Sequence, residues 1–198
     1  MKSNLIDRRT LIAAAVGLPL LSVHAQVSDL GDAINKAGRQ RMLSQRMGKA
    51  WLALAHKADT PAARAVLEQS LALFERQLGE LKAFAPSPAI RDTYVKLEGA
   101  WADHKATLMG TTPSRDGVAA LLQADAKVLA LAHQGTSQYE AALGKPVGYL
   151  VNVAGRQRML SQRMAKFYLS AMLGVDTANA TTEIAKARDE FLKATELL

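Results

Sequence analysis

The sequence predicts an all-α protein, an antiparallel bundle of about six helices, from three observations. Apolar residues recur at intervals of three and four, and no segment alternates with the period of a strand. Aromatic residues make up only 5% of the chain, β-branched residues are scarce and alanine is abundant throughout. Helix stops and starts punctuate the chain at regular distances. The composition of the 198 residues, 49% hydrophobic and 22% charged, suits one globular domain with one core.

The first 25 residues read as an export signal. Lys2, Arg8 and Arg9 precede the apolar run from Leu11 to Leu21, and Val23-His24-Ala25 places short residues at the cleavage-determining positions. The run is broken by Gly17 and Pro19 and is about half the length of a membrane span. Arg8-Arg9-Thr10-Leu11-Ile12 resembles a twin-arginine signal, with Asp7 where that pattern prefers a hydroxyl residue and a general secretory signal as the alternative. Cleavage after Ala25 removes Lys2, Arg8, Arg9 and Asp7 and takes the net charge from +7 to +5. A periplasmic protein of residues 26–198 is expected.

The first helix after the signal carries the sequence AGRQRMLSQRM at residues 37–47 and ends before Asp59-Thr60-Pro61. The second carries Leu67, Leu71, Phe74, Leu78 and Leu81 and stops at Ala85-Pro86-Ser87-Pro88. Ile90, Tyr94, Leu97, Trp101 and Leu108 line the third, which ends at Gly110-Thr111-Thr112-Pro113. Gly144-Lys145-Pro146 closes the fourth, and Gly174-Val175-Asp176-Thr177 separates the fifth from the sixth. The fifth repeats the first. Ala154 to Met164 is identical to Ala37 to Met47 at a displacement of 117 residues, and eleven identities are beyond chance. At the same displacement Asn35 matches Asn152, Lys49 matches Lys166, Asp59-Thr60 matches Asp176-Thr177 and Phe74 matches Phe191, so the repeated unit is the motif helix, its turn and the next helix. The motif copies span 34–49 and 151–166, and the second is expected to be an incomplete repeat, matched through Leu198 only as far as the second helix.

The motif helix has two faces. Leu43, Met47, Ala50 and Leu54, matched by Leu160, Met164, Phe167 and Ala171, form an apolar stripe for the body of the bundle. About 200° away run Ile34, Gly38, Arg41, Gln45, Gly48 and Leu52, matched by Val151, Gly155, Arg158, Gln162, Ala165 and Leu169. Gly38 and Gly48 admit the backbone of a neighbouring helix. With short antiparallel connections the first and fifth helices run in the same direction, which lets the copies lie side by side with Arg41 opposite Arg158. Two guanidinium groups about 6 Å apart repel by roughly 2–3 kcal/mol at an effective dielectric near 20. Either these arginines pair with carboxylates elsewhere in the bundle or lie on a solvated face, or an oxyanion sits in their forked donors. If an anion does, alanine at either position is expected to leave the unliganded fold no less stable. Gly38, Gly155, Gln45 and Gln162 complete the candidate ligand set. Arg39, Arg46 and Lys49 are expected on the exposed flank, and Met42, Met47, Met159 and Met164 in the core.

Other chemistry finds little support. The chain has no cysteine, so disulfides, thiolate metal sites and thiol nucleophiles are excluded, and its four histidines, His24, His56, His104 and His133, are too scattered for a helical metal pair. Ser44 and Ser161 have no base at helical spacing, no cofactor is implied and no catalytic constellation appears, so an enzyme is not expected. Export disfavours nucleic acid as a partner of the basic motifs.

Ile34-Asn35-Lys36-Ala37-Gly38, followed by Arg41-Met42 and Arg46, resembles the ligand-binding motif of the periplasmic helical domain of nitrate/nitrite sensor histidine kinases. The string AGRQRMLSQRM is closer still to the PilJ-type domain, the N-terminal domain of type IV pilus methyl-accepting chemotaxis transducers. The resemblance covers about residues 30–57 and 147–173. In the nitrate sensors one arginine from each of two subunits holds the anion between parallel motif helices, and Arg41 and Arg158 occupy the matching positions. Leu43 and Gln45, like Leu160 and Gln162, stand where the nitrate sensors tend to have glutamine and tyrosine, and Arg39 and Arg156 replace a small polar residue. The resemblance implies a periplasmic module that binds a small anion, nitrate or nitrite foremost, and communicates with a membrane sensor or chemotaxis component. The alternative is an interaction protein that uses the duplicated motif for helix packing. A homodimer is compatible with either.

Overall fold

A computed structural model describes residues 26–198, so the expected export signal lies outside the described residues. The chain folds as six long helices: α1 Leu30–Ala55, α2 Thr60–Phe84, α3 Pro88–Gly110, α4 Val118–Leu143, α5 Pro146–Met172 and α6 Thr177–Leu197. The all-α bundle anticipated from periodicity is the fold observed. One element was not anticipated, a single 3-10 turn at Arg115–Gly117 that leads into α4.

The boundaries follow from local chemistry. Asp29 caps α1 by accepting from Asp32 N–H at 2.8 Å, and Ser87 caps α3 by accepting from Ile90 N–H at 3.3 Å. Pro61, Pro88 and Pro146 occupy first-turn positions, where a missing N–H costs nothing. Gly144 ends α4 in the left-handed region at φ 60°. The repeat extends to the turns: Asp59 and Asp176, preceding α2 and α6, are both left-handed, at φ 39° and 46°. Displaced by 117 residues, the bounds of α1 fall within one residue of those of α5, and α2 and α6 start in register.

The central helix is α1, packed against α2, α4 and α5, while α5 also carries α6 and α3 leans on α4. Leu43, Met47 and Trp51 of α1, Phe74 and Leu81 of α2, Tyr94 and Leu97 of α3, and Leu121, Val128 and Tyr139 of α4 form the main core. Phe74 stacks on Trp101 with ring centroids 4.2 Å apart. A smaller cluster of Met159, Leu160 and Ala187, with Phe191 packed against it, joins α5 to α6. The methionines of the motif behave as filler: Met47 and Met159 are buried, and Met42 and Met164 pack against the smaller cluster. Since α1 is enclosed on several sides, it buries polar residues too: Gln40, Arg41, Ser44 and Gln45 are all fully inaccessible. Arg39, Arg46 and Lys49, expected to be exposed, are half-buried for the same reason.

Candidate functional site: the seam between the repeated helices

The two motif helices are parallel and adjacent. Along the seam Ile34 lies beside Gly148, Gly38 faces Gly155, Gly48 faces Lys166, and His56 Nε2 donates to Leu169 O at 2.9 Å, so the contacts advance together along both helices. The closest approach is at Gly38 and Gly155. A β-carbon on Gly155 would sit 3.6 Å from Gly38 Cα, and one on Gly38 would sit 3.7 Å from Gly155 Cα. That spacing tolerates a methyl group and nothing longer. Gly155→Ala is expected to be neutral or slightly stabilising, since alanine gains up to about 1 kcal/mol of helix propensity. Gly155→Leu is expected to lose about 1–3 kcal/mol in urea denaturation by forcing the helices apart.

Both arginines converge here. The position of a β-carbon on Gly155 is 3.4 Å from Arg41 Nη2 and 3.7 Å from Arg158 Nη2. The hydrogen bonds are reciprocal: Arg41 Nη2 donates to Asn152 Oδ1 at 2.6 Å, and Arg158 Nη2 donates to Asn35 Oδ1 at 3.0 Å. Each arginine thus reaches across to the asparagine that precedes its counterpart by six residues. Arg41 Nη2 also donates to Asn152 O at 3.2 Å, and Arg41 Nη1 donates to His133 Nδ1 of α4 at 3.3 Å. Arg41 Nε has no partner. Neither guanidinium forms an ion pair among the described residues, which removes the reading in which each is neutralised by an acidic side chain. The nearest compensation for Arg41 is indirect, through Asn152 Nδ2, which donates to Glu140 Oε2.

Electrostatics follow from burial. Arg41 is fully inaccessible; burial first, then Arg156 and Arg158, pull its pKa down from 12.5 to about 10, against a smaller opposing pull from Glu140. It therefore remains charged at neutral pH. Burial, Arg41 and Arg156 also push His133 below the usual histidine range, so its Nδ1 is held neutral as an acceptor. Arg158 is exposed, and half-burial of its guanidinium plus Arg39 lowers its pKa. The repeat explains the asymmetry: α4 covers Arg41, and the second copy has no described counterpart of α4 over Arg158.

The glutamines are not brought to this point. Gln45 Nε2 donates to both Asp125 carboxylate oxygens at 2.9 Å, and Lys166 Nζ bonds to Asp125 Oδ2. Lys166 and Asp125 are a buried ion pair with side chains 2% and 0% exposed. Gln162 lies elsewhere, in a cavity with Met42, Arg46 and Lys49. Ser44 and Ser161 donate to the carbonyls of Arg41 and Arg158 three residues earlier, which occupies their hydroxyls locally. No group of three or more metal-ligating side chains occurs among the described residues.

The family model of the type IV pili methyl-accepting chemotaxis transducer N-terminal domain, PilJ, matches residues 23–143 and again 144–198. The chain belongs to the PilJ family. The boundary between the two matches falls at the α4–α5 turn, where the second motif helix begins. This PilJ domain is thus of sensory, transducer type, a class of signalling domain. No curated protein and no solved structure matches it significantly. Among the described residues, no helix is long and apolar enough to cross a membrane.

Sequence reasoning missed three residues of the seam. Asn35 and Asn152 were visible as a repeated pair, and their reach to the arginines was the unread signal. His133 lies outside the repeat and has no sequence signal, because only the placement of α4 brings it to Arg41.

Proposed function

We propose that this PilJ-family chain is a periplasmic sensory module that binds a small oxyanion, nitrate or nitrite, between α1 and α5. The observation that supports it is the convergence of two guanidinium groups, free of carboxylates, on the Gly38–Gly155 contact. Arg41 and Arg158 supply charge, Asn35 and Asn152 fix their orientation, and Gly38 and Gly155, having no side chains, let the helices approach closely enough for both guanidinium groups to reach one planar ion at the edge of the seam. The anion enters from the side of Arg158, the exposed member of the pair. Gln45 and Gln162 are left out of the ligand set, the first because Asp125 engages its amide and the second because it lies in another cavity. Binding cross-links the two motif helices through the arginines and stiffens the seam, and the module passes that state to a membrane chemotaxis component.

The second reading, an interaction protein held together by the motif, is favoured by the Gln45–Asp125–Lys166 cluster, which uses motif residues purely for packing. Thermal melts separate the two. At 100 times its dissociation constant an anion stabilises the fold by roughly 2.7 kcal/mol, a rise of about 5–10 °C in Tm. Arg158→Ala, at an exposed position, is expected to leave the melt without ligand within about 0.5 kcal/mol of the parent and to abolish the nitrate-dependent rise. An unchanged rise would assign the motif to packing.

A further inference from the structure

The buried cluster around Asp125 has a counterpart on the other side of the seam that lacks its acid. On the α4 side, a glutamine of α1 and a lysine of α5, Gln45 and Lys166, close on the carboxylate of Asp125. Displacement by 117 residues exchanges these for Gln162 of α5 and Lys49 of α1. That second pair lines one cavity of about 480 Å³ between α1, the start of α2 and α5. No described carboxylate pairs with it: among the described residues neither Lys49 nor its neighbour Arg46 forms an ion pair. Asp59 also borders the cavity; its Oδ1 accepts from Ala62 N–H at 3.5 Å to cap α2, and its carboxylate lies beyond ion-pair distance of both Lys49 and Arg46.

We infer that this cavity is a carboxylate-binding site, in which a small aliphatic monocarboxylate takes the place that Asp125 holds across the seam. Lys49 supplies the charge, as Lys166 does for Asp125, with Arg46 beside it and the Gln162 amide as donor. Met42, Val66 and several alanines make the rest of the wall apolar and suit a short hydrocarbon body. Burial and Arg46 hold Lys49 below the usual lysine range, a cost that a bound carboxylate relieves. The site is separate from the arginine seam and stands whether or not an oxyanion binds there.

Calorimetric titration of residues 26–198 with butyrate tests it, with butylamine and nitrate as parallel probes. Butyrate is expected to bind, butylamine to give no heat, and nitrate not to compete. Lys49→Gln, at a half-buried position without an ion pair, is expected to weaken butyrate at least tenfold without lowering the thermal melt in the absence of ligand. Ala62→Trp, at an exposed position in the wall, is expected to block butyrate by bulk, and Arg158→Ala to leave it untouched. Absence of butyrate binding, equal binding of butylamine, retention of affinity in both Lys49→Gln and Ala62→Trp, or its loss in Arg158→Ala would each overturn the proposal.

Discussion

Asp125→Asn is expected to destabilise the folded chain by about 3–5 kcal/mol, enough to unfold a marginal domain, because it strips the counter-charge from a buried lysine. The pair joins three helices, with Gln45 of α1 and Lys166 of α5 both bonded to the α4 carboxylate. Replacing both charges by apolar residues of similar size, Asp125→Leu with Lys166→Met, is expected to recover most of that loss or exceed it, since neither desolvation cost then remains. Burial alone would raise the Asp125 pKa, but Lys166, His104 and the hydrogen bonds from Lys166 and Gln45 outweigh it and hold the carboxyl below its ordinary value. A group depressed in the folded state contributes fully above its unfolded pKa, about 3.9, and loses that contribution as the pH falls through the lower folded value. Urea melts should therefore show wild-type stability falling steeply only below about pH 4, and a much smaller acid dependence in the double variant.

Arg41→Ala is expected to lose about 2–4 kcal/mol without any ligand, against the sequence-based expectation that either arginine could be removed freely. The difference is burial. Arg41 is fully enclosed, its stem fills core volume, and its removal leaves Asn152 and His133 without their donor. Arg41→Met keeps most of that volume and removes a buried charge that has no ion pair, while leaving the same acceptors unbonded, so it should lose distinctly less stability than Arg41→Ala, about 1 kcal/mol or less. Both variants should lose the anion-dependent rise in Tm. A pair of variants that differ in stability but share the loss of ligand response separates a binding role from a packing role, which no single substitution at a buried site can do.

The bundle was legible because its signals are local. Proline in the first turn, capping by Asp29 and Ser87 and the three-to-four spacing of Leu67 through Leu81 act within one helix, and the parity of short antiparallel connections gives α1 and α5 the same direction. That direction and the 117-residue repeat together place Arg41 opposite Arg158. What lay beyond reach depends on α4, which is outside the repeat. Its Asp125 and His133 decide that Gln45 turns away from the arginines and that Arg41 is buried while Arg158 is exposed. Two identical strings thus acquire different environments: Gln45 clasps an acid, and Gln162 lines a cavity in which no carboxylate is bonded to it.

Arginine side-chain nitrogen NMR during a nitrate titration tests the central claim most directly, because it reports on each guanidinium group separately. The chain has many arginines, so assignment rests on Arg41→Met and Arg158→Ala, each of which should delete one signal. Nitrate is expected to shift the Arg41 and Arg158 signals together, saturating with one affinity, while Arg188, exposed on α6 beside Asp189, stays fixed. Nitrate that leaves both seam arginines unmoved, or that moves Arg188 as much as either, would contradict it.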